Sequence, residues 1–208
     1  YLAYLHGSNN HSCGGFLVAP SWVMTAAQCS AHKPLTVTLG AHTAPRREGS
    51  WQRFEVQKYH CHPNFTSPRK GNDILLLKLK GNATSNSYLP FEKHEVKRDT
   101  KCRVLSWGHQ AANATLREAT VTIMDKRNCF SYYPWRADYL VCGTSGSAGV
   151  PEKVSSPLLP LLLSQSDAGD PLICNNRAYG IFSYKHSTWP GFYTRIAPYL
   201  PWVKSVMK

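Results

Sequence analysis

Long hydrophobic runs are missing from this chain of 208 residues. No stretch of about 18 consecutive apolar residues occurs, so no transmembrane helix is expected. Closely spaced cysteine pairs are missing as well. The seven cysteines are scattered with no CxxC among them, which argues against a zinc ribbon or a dithiol redox motif. Acidic side chains are scarce, 12 Asp plus Glu against 24 Lys plus Arg, leaving a formal net charge of +12. No internal repeat of fixed period is present, so a repeat array is not expected. The start, Tyr1-Leu2-Ala3-Tyr4-Leu5, has neither a Met nor the pattern of a signal peptide. It reads as the middle of a β-strand, and the expectation is that an N-terminal strand and terminus are missing.

Hydrophobic residues make up 42% of the chain, enough for a sizeable core in one domain of this length. Short β-type runs recur between turn signals, at residues 15–18, 35–39, 53–56, 102–105 and 119–123. Several alternate apolar with polar residues, as half-buried strands should. Spacing and turn chemistry predict an all-β barrel or sandwich. Helical signal is confined to residues 197–208, where Leu200, Val203 and Met207 recur at near-helical spacing. Lysines fall in its last turn, where the helix dipole favours cations. Residues 143–166 break the pattern. A flexible small-residue tract is followed there by an apolar run containing Pro157 and Pro160. Pro160 does not fit a helix interior and is confined to an edge in a sheet. An atypical loop is expected, buried or poorly packed, with a membrane-touching or partner-binding loop as the alternative.

N-x-S/T sequons occur at Asn10, Asn64, Asn82 and Asn113. Together with the cysteine count they favour export into an oxidising compartment, where disulfides persist and these asparagines are glycosylation candidates. The basic residues are grouped: Arg46-Arg47, Arg69-Lys70, Lys97-Arg98 with Lys101 and Arg103, and Lys126-Arg127. Such a field attracts polyanions, and for an exported protein these are glycosaminoglycans, proteoglycans or microbial envelopes, not a specific nucleic acid. The plain alternative is a solvated basic surface that maintains solubility.

Several stretches are distinctive beyond their composition. They are Cys13-Gly14-Gly15-Phe16-Leu17-Val18, Thr25-Ala26-Ala27-Gln28-Cys29, Val37-Thr38-Leu39-Gly40-Ala41-His42 and Asn72-Asp73-Ile74-Leu75-Leu76-Leu77-Lys78-Leu79. Further along come Ser106-Trp107-Gly108, Asp167-Ala168-Gly169-Asp170-Pro171, Gly191-Phe192-Tyr193-Thr194-Arg195 and Pro201-Trp202-Val203. In order and spacing they resemble the CGGxLI, TAAHC, VxLGAH, DIALLKL, GWG, GDSGGP, GVYTRV and terminal PWI signatures of trypsin-like serine proteases, specifically the granzyme and mast-cell chymase branch. The resemblance spans nearly the whole chain. It implies two six-stranded antiparallel β-barrels with a C-terminal α-helix, in a single domain over residues 1–208.

The same resemblance implies roles. In such enzymes an imidazole removes the proton of a serine hydroxyl and a carboxylate orients the imidazole. Gln28 stands at the histidine position, Asp73 at the carboxylate and Ala168 at the serine. A glutamine amide has no proton affinity near neutral pH, and an alanine methyl has no nucleophilic atom. The oxyanion-hole positions are Ser166 and Ala168, with Ser166 where glycine is usual. Asp170 replaces a further glycine and adds a charge beside the site. Asp167 is the position that receives the freed N-terminal amine in activated relatives. Substrate-pocket positions are Leu162 at the base and Ser183, Tyr184, Lys185 and Gly191 in the walls, with Lys185 where glycine is usual. That lysine either crowds the cleft or points to solvent. The implied disulfides are Cys13–Cys29, Cys102–Cys174 and Cys129–Cys142, leaving Cys61 as an unpaired thiol. The run His60-Cys61-His62 invites a metal reading, but three consecutive donors do not readily converge on one tetrahedral ion. No metal or other cofactor is expected.

Three functions follow. The first is a non-catalytic protease homologue, secreted or stored in secretory granules, that binds polyanions or a protein partner. The second is a serine endopeptidase with residual activity through substituted residues. The third is a decayed or alternatively spliced relative without a selected function.

Overall fold

Short apolar runs, only some of them alternating with polar residues, generate most of the strands. The computed structural model describes residues 1–39, 52–84, 87–106, 117–130, 139–145, 168–185 and 191–208. Its first six strands are β1 (Leu2–His6), β2 (Ser12–Ala19), β3 (Trp22–Thr25), β4 (Thr36–Leu39), β5 (Gln52–Cys61) and β6 (Leu75–Leu79). The second six are β7 (Lys101–Ser106), β8 (Arg117–Ile123), β9 (Leu140–Ser145), β10 (Pro171–Cys174), β11 (Arg177–Lys185) and β12 (Gly191–Arg195). Each set closes into an antiparallel barrel, in the orders β1-β2-β3-β6-β5-β4 and β7-β8-β9-β12-β11-β10. The two orders are the same topology, although the sequence carries no fixed-period repeat. Closure requires only strand length, pleat and twist, and different side chains satisfy these equally well.

Burial follows the position of each strand. In the first half of β5, half-buried and exposed positions alternate because one face meets the barrel interior and the other meets water. In β6, Leu75, Leu76 and Leu77 are all fully buried, because this strand is covered on both faces. The larger apolar cluster joins the first barrel to Leu105, Ile173, Ile181, Ile196 and Val203, so it fills the space between the two halves as well as the first barrel. A separate cluster around Val104, Val121, Phe182 and Tyr193 fills the second barrel.

The C-terminal helix is α2 (Leu200–Val206), preceded by a 3₁₀ turn at Ala197–Tyr199, with Val203 turned into the core. A second helix, α1 (Lys126–Phe130), corrects the expectation that helix is confined to the end of the chain. At five residues it is too short to show a hydrophobic period. Local capping holds it: the Arg127 amide donates to Asp125 Oδ1 at 3.0 Å and the Cys129 amide to the Asp125 carbonyl at 3.1 Å. Disulfides join Cys13 to Cys29, Cys102 to Cys174 and Cys129 to Cys142, the pairing implied by the resemblance, and Cys61 is a free thiol.

Candidate functional site

The antiparallel register of β3 with β6 sets Thr25 opposite Leu75. Chain leaving β3 and chain entering β6 therefore emerge at the same end of the first barrel. Leaving β3, the chain enters a short 3₁₀ helix, Ala27–His32, that carries Gln28; entering β6, it passes through Asp73. The Gln28 amide N–H donates to Asp73 Oδ1 at 2.9 Å, and the Gln28 side-chain Nε2 donates to Asp73 Oδ2 at 2.6 Å. That same Nε2 donates to the Ser183 carbonyl on β11 at 2.6 Å. The opposite amide orientation would set Oε1 against two acceptors, so only this one makes both contacts attractive.

Asp73 is fully buried and receives further bonds from the second half of the chain. Ser183 Oγ donates to Asp73 Oδ2 at 2.5 Å, and Thr194 Oγ1 donates to the Asp73 carbonyl at 3.3 Å. Gln28, Asp73 and Ser183 thus form one hydrogen-bonded unit across the two barrels. Sequence reasoning does not reach Thr194, because nothing in strand patterning marks one inward threonine as a bridge between barrels.

Ala168 reaches the same region through its backbone. Its carbonyl accepts from the Gly14 amide at 2.9 Å and lies 3.7 Å from Cys29 Sγ, next in sequence to Gln28. Gly169 follows with φ +95°, a conformation that glycine adopts without steric cost. A Cβ there would collide with the Gly14 carbonyl oxygen and Thr25 Oγ1, so the two chains pass at glycine-only separation. Asp170 is 1% exposed, and its carboxylate occupies the space a Cβ on Gly14 would need.

Burial pushes the Asp73 carboxyl above the ordinary carboxylate range, against the pull of the bonds from Ser183 and Gln28. The folded protein then holds this proton to higher pH than the unfolded chain does. The associated stability is complete below about pH 4, where unfolded aspartates titrate, and is lost as pH rises through the elevated folded value. Asp73→Asn is expected to flatten this part of the stability curve, measured by urea unfolding at a series of pH values. An unchanged slope would show that Asp73 is not the group responsible.

A family model described as Trypsin matches residues 1–203. The chain belongs to the trypsin family of serine proteases. Among curated relatives of this trypsin-family chain, mouse (Mus musculus) Granzyme F is 36% identical over 211 residues, covering 95% of this chain and 80% of that protein. Mast cell protease 2 of Ovis aries and Chymase of Cavia porcellus are each 35% identical over 223 residues, covering 100% of this chain and 85% of theirs. A solved structure described as "Structure of GrC" superposes with a TM-score of 0.82 at 30% identity, covering 100% of this chain and 93% of that one. The barrels and terminal helix are those of the trypsin fold.

Other expected positions of this trypsin-family member fall as follows. Tyr184 is half-buried, with its ring stacked on Phe192 at 4.8 Å between centroids. Lys185 pairs in register with Gly191 and is half-buried, neither fully solvated nor enclosed. Leu162, Ser166, Asp167, Asn113 and most of residues 143–166 lie outside the described residues. Asn10, Asn64 and Asn82 are all exposed, Asn10 with φ +58°. Around Cys61 the two histidine rings diverge. His60 packs on Trp22, whereas His62 packs on Tyr199 and Trp202. No cluster of three metal-ligating side chains forms among the described residues.

Proposed function

We propose that this chain is a non-catalytic serine protease homologue of the granzyme or chymase type. On this reading it is a single domain over residues 1–208, secreted or held in secretory granules, that acts by binding polyanions. The observation that carries the reading is Gln28. Its amide fills the space between Asp73 and Ser183 with two 2.6 Å hydrogen bonds, and it has no basic nitrogen to take a proton. Ala168 supplies a methyl group where a nucleophile is needed, so no acyl-enzyme forms. Asp73 keeps its place as a structural acceptor.

The binding half of the reading rests on charge. Exposed Arg69 and Lys70 end a short 3₁₀ helix, and Lys97, Arg98, Lys101 and Arg127 are exposed on the second half of the chain. Some of this charge is matched by surface carboxylates, as in Arg103 with Glu118 and Arg98 with Asp125. Such exposed pairs contribute about 0–1 kcal/mol and readily exchange partners with an incoming polyanion. A protein partner on the same surface is the alternative.

Two measurements test this reading. Purified protein should take up no fluorophosphonate probe and cleave no member of a peptide library above a no-protein control; reproducible cleavage would establish the endopeptidase alternative instead. On a heparin column it should elute later than a protein of matched charge, at a position strongly sensitive to salt. Elution with or before the control would remove the polyanion role.

A further inference from the structure

A cavity of about 510 Å³ opens on the second barrel, and none of its lining residues belongs to the site around Gln28, Asp73 and Ala168. Its size falls within the ~300–1,000 Å³ typical of small-molecule sites. The floor is apolar: Val96, Ile123, Val141 and Tyr179 line it and are each at most 9% exposed to solvent. The rim is charged, with Lys97, Arg98, Lys126 and Arg195 against Glu95 and Asp125.

Two of these cations are already matched. Arg98 Nη1 lies 3.1 Å from Asp125 Oδ2, and Lys126 Nζ lies 2.5 Å from Glu95 Oε1. The Lys126 contact holds the Glu95 carboxyl below its ordinary range, so Glu95 is ionised and answers that lysine. Four cations face two carboxylates, so the rim keeps an excess positive charge; Glu95 also feels Arg195, and Lys97 is exposed beside them. The Arg195 guanidinium sits 5.8 Å from the centroid of the Tyr179 ring. Its Nε is buried without a hydrogen-bond partner among the described residues. A buried donor left in that state is costly, and an anion in the cavity meets the guanidinium of Arg195, which lines it, and not this enclosed atom.

We propose that this cavity binds a small amphipathic anion, with its apolar body on the Val96–Ile123–Val141–Tyr179 floor and its carboxylate or sulfate head against Arg195 and Lys97. The apolar floor disfavours a polysaccharide, whose hydroxyls would find no partners there. A bare inorganic anion would leave that floor wet, and a cationic ligand would meet the excess positive charge.

Calorimetric titration of the intact chain with octyl sulfate, octanol and inorganic sulfate, below the micellar range, tests the proposal. Octyl sulfate is expected to saturate at one molecule per chain. Octanol should bind roughly tenfold more weakly for want of the charge-assisted bond, and sulfate should give no saturable heat. Arg195→Met should weaken octyl sulfate about tenfold with little effect on octanol, and Glu95→Gln should tighten octyl sulfate. Because Arg195 packs on Tyr179, Lys97→Ala serves as an independent variant: Lys97 is exposed, so the melting temperature should hold while octyl sulfate binding drops severalfold. Non-saturating binding, or binding indifferent to both Arg195→Met and Lys97→Ala, would overturn the site. Peptide cleavage does not bear on this outcome; Lys97 is shared with the basic surface, so the contrast of octyl sulfate with octanol in Arg195→Met separates the cavity from heparin retention.

Discussion

Removal of the Cys102–Cys174 bridge by a double alanine substitution is expected to cost about 4 kcal/mol of unfolding free energy. The two cysteines are separated by 72 residues, against 16 for Cys13–Cys29 and 13 for Cys129–Cys142. In the chain-entropy account, the longest closed loop removes the most freedom from the unfolded ensemble, and the short loops are worth about 3 kcal/mol each. Position adds to length. β7 and β10 pair directly, with Arg103 opposite Ile173 and Val104 opposite Leu172, and their contact closes the second barrel. Both cysteines are about 1% exposed, so their loss also opens a void in the barrel core. Domains of this kind are stable by only about 5–15 kcal/mol, so the variant should lie near the edge of folding at body temperature. Urea unfolding under oxidising conditions measures the effect. A Cys61→Ser background removes the free thiol that would otherwise exchange disulfides during unfolding. A loss smaller than that of the Cys129–Cys142 double variant would contradict the loop-length account.

Gln28→Leu should destabilise the chain by about 3 kcal/mol, a large cost for one half-buried side chain. Leucine is similar in size, so little of the loss would come from a cavity. The cost comes from the acceptors left behind. Asp73 Oδ2 and the Ser183 carbonyl each lose a donor at 2.6 Å, in a region where water does not readily replace it. Gln28→His should lose less than half as much, because an imidazole N–H again donates to Asp73. The ordering of wild type, histidine and leucine in a thermal or urea melt is the informative result. Leucine as stable as wild type would mean that the Gln28 amide is not part of the scaffold. A stabilising glutamine would also explain how the cross-barrel unit persists without an imidazole: two N–H donors toward two acceptors are what Asp73 and Ser183 require.

Much of this fold is legible in the linear sequence. Strand runs at residues 15–18, 53–56, 102–105 and 119–123 all fall within β2, β5, β7 and β8, because a half-buried strand alternates side-chain character, as in β5, and a strand covered on both faces is a short apolar run, as in β2. The run at 35–39 lies within one residue of β4. The α1 helix is not legible, because five residues held by Asp125 and a disulfide leave no period to read. The site divides in the same way. Gln28, Asp73 and Ala168 are identifiable from motif order, whereas Thr194 and the Arg195 cavity have no linear signature.

By itself, the amino-acid sequence determined the family, the two-barrel architecture and the chemical identity of the groups at the site. Strand pattern and motif order are local properties, and an amide or a methyl group keeps its reactivity whatever surrounds it. Only the tertiary structure decided what those groups do. It placed the Gln28 amide between two acceptors from different barrels and enclosed Asp73 among donors 45 to 121 residues away in sequence. It also left Arg195 Nε buried at the edge of an apolar cavity. Hydrogen bonding and burial depend on which distant strands meet, and that is settled by register and barrel closure.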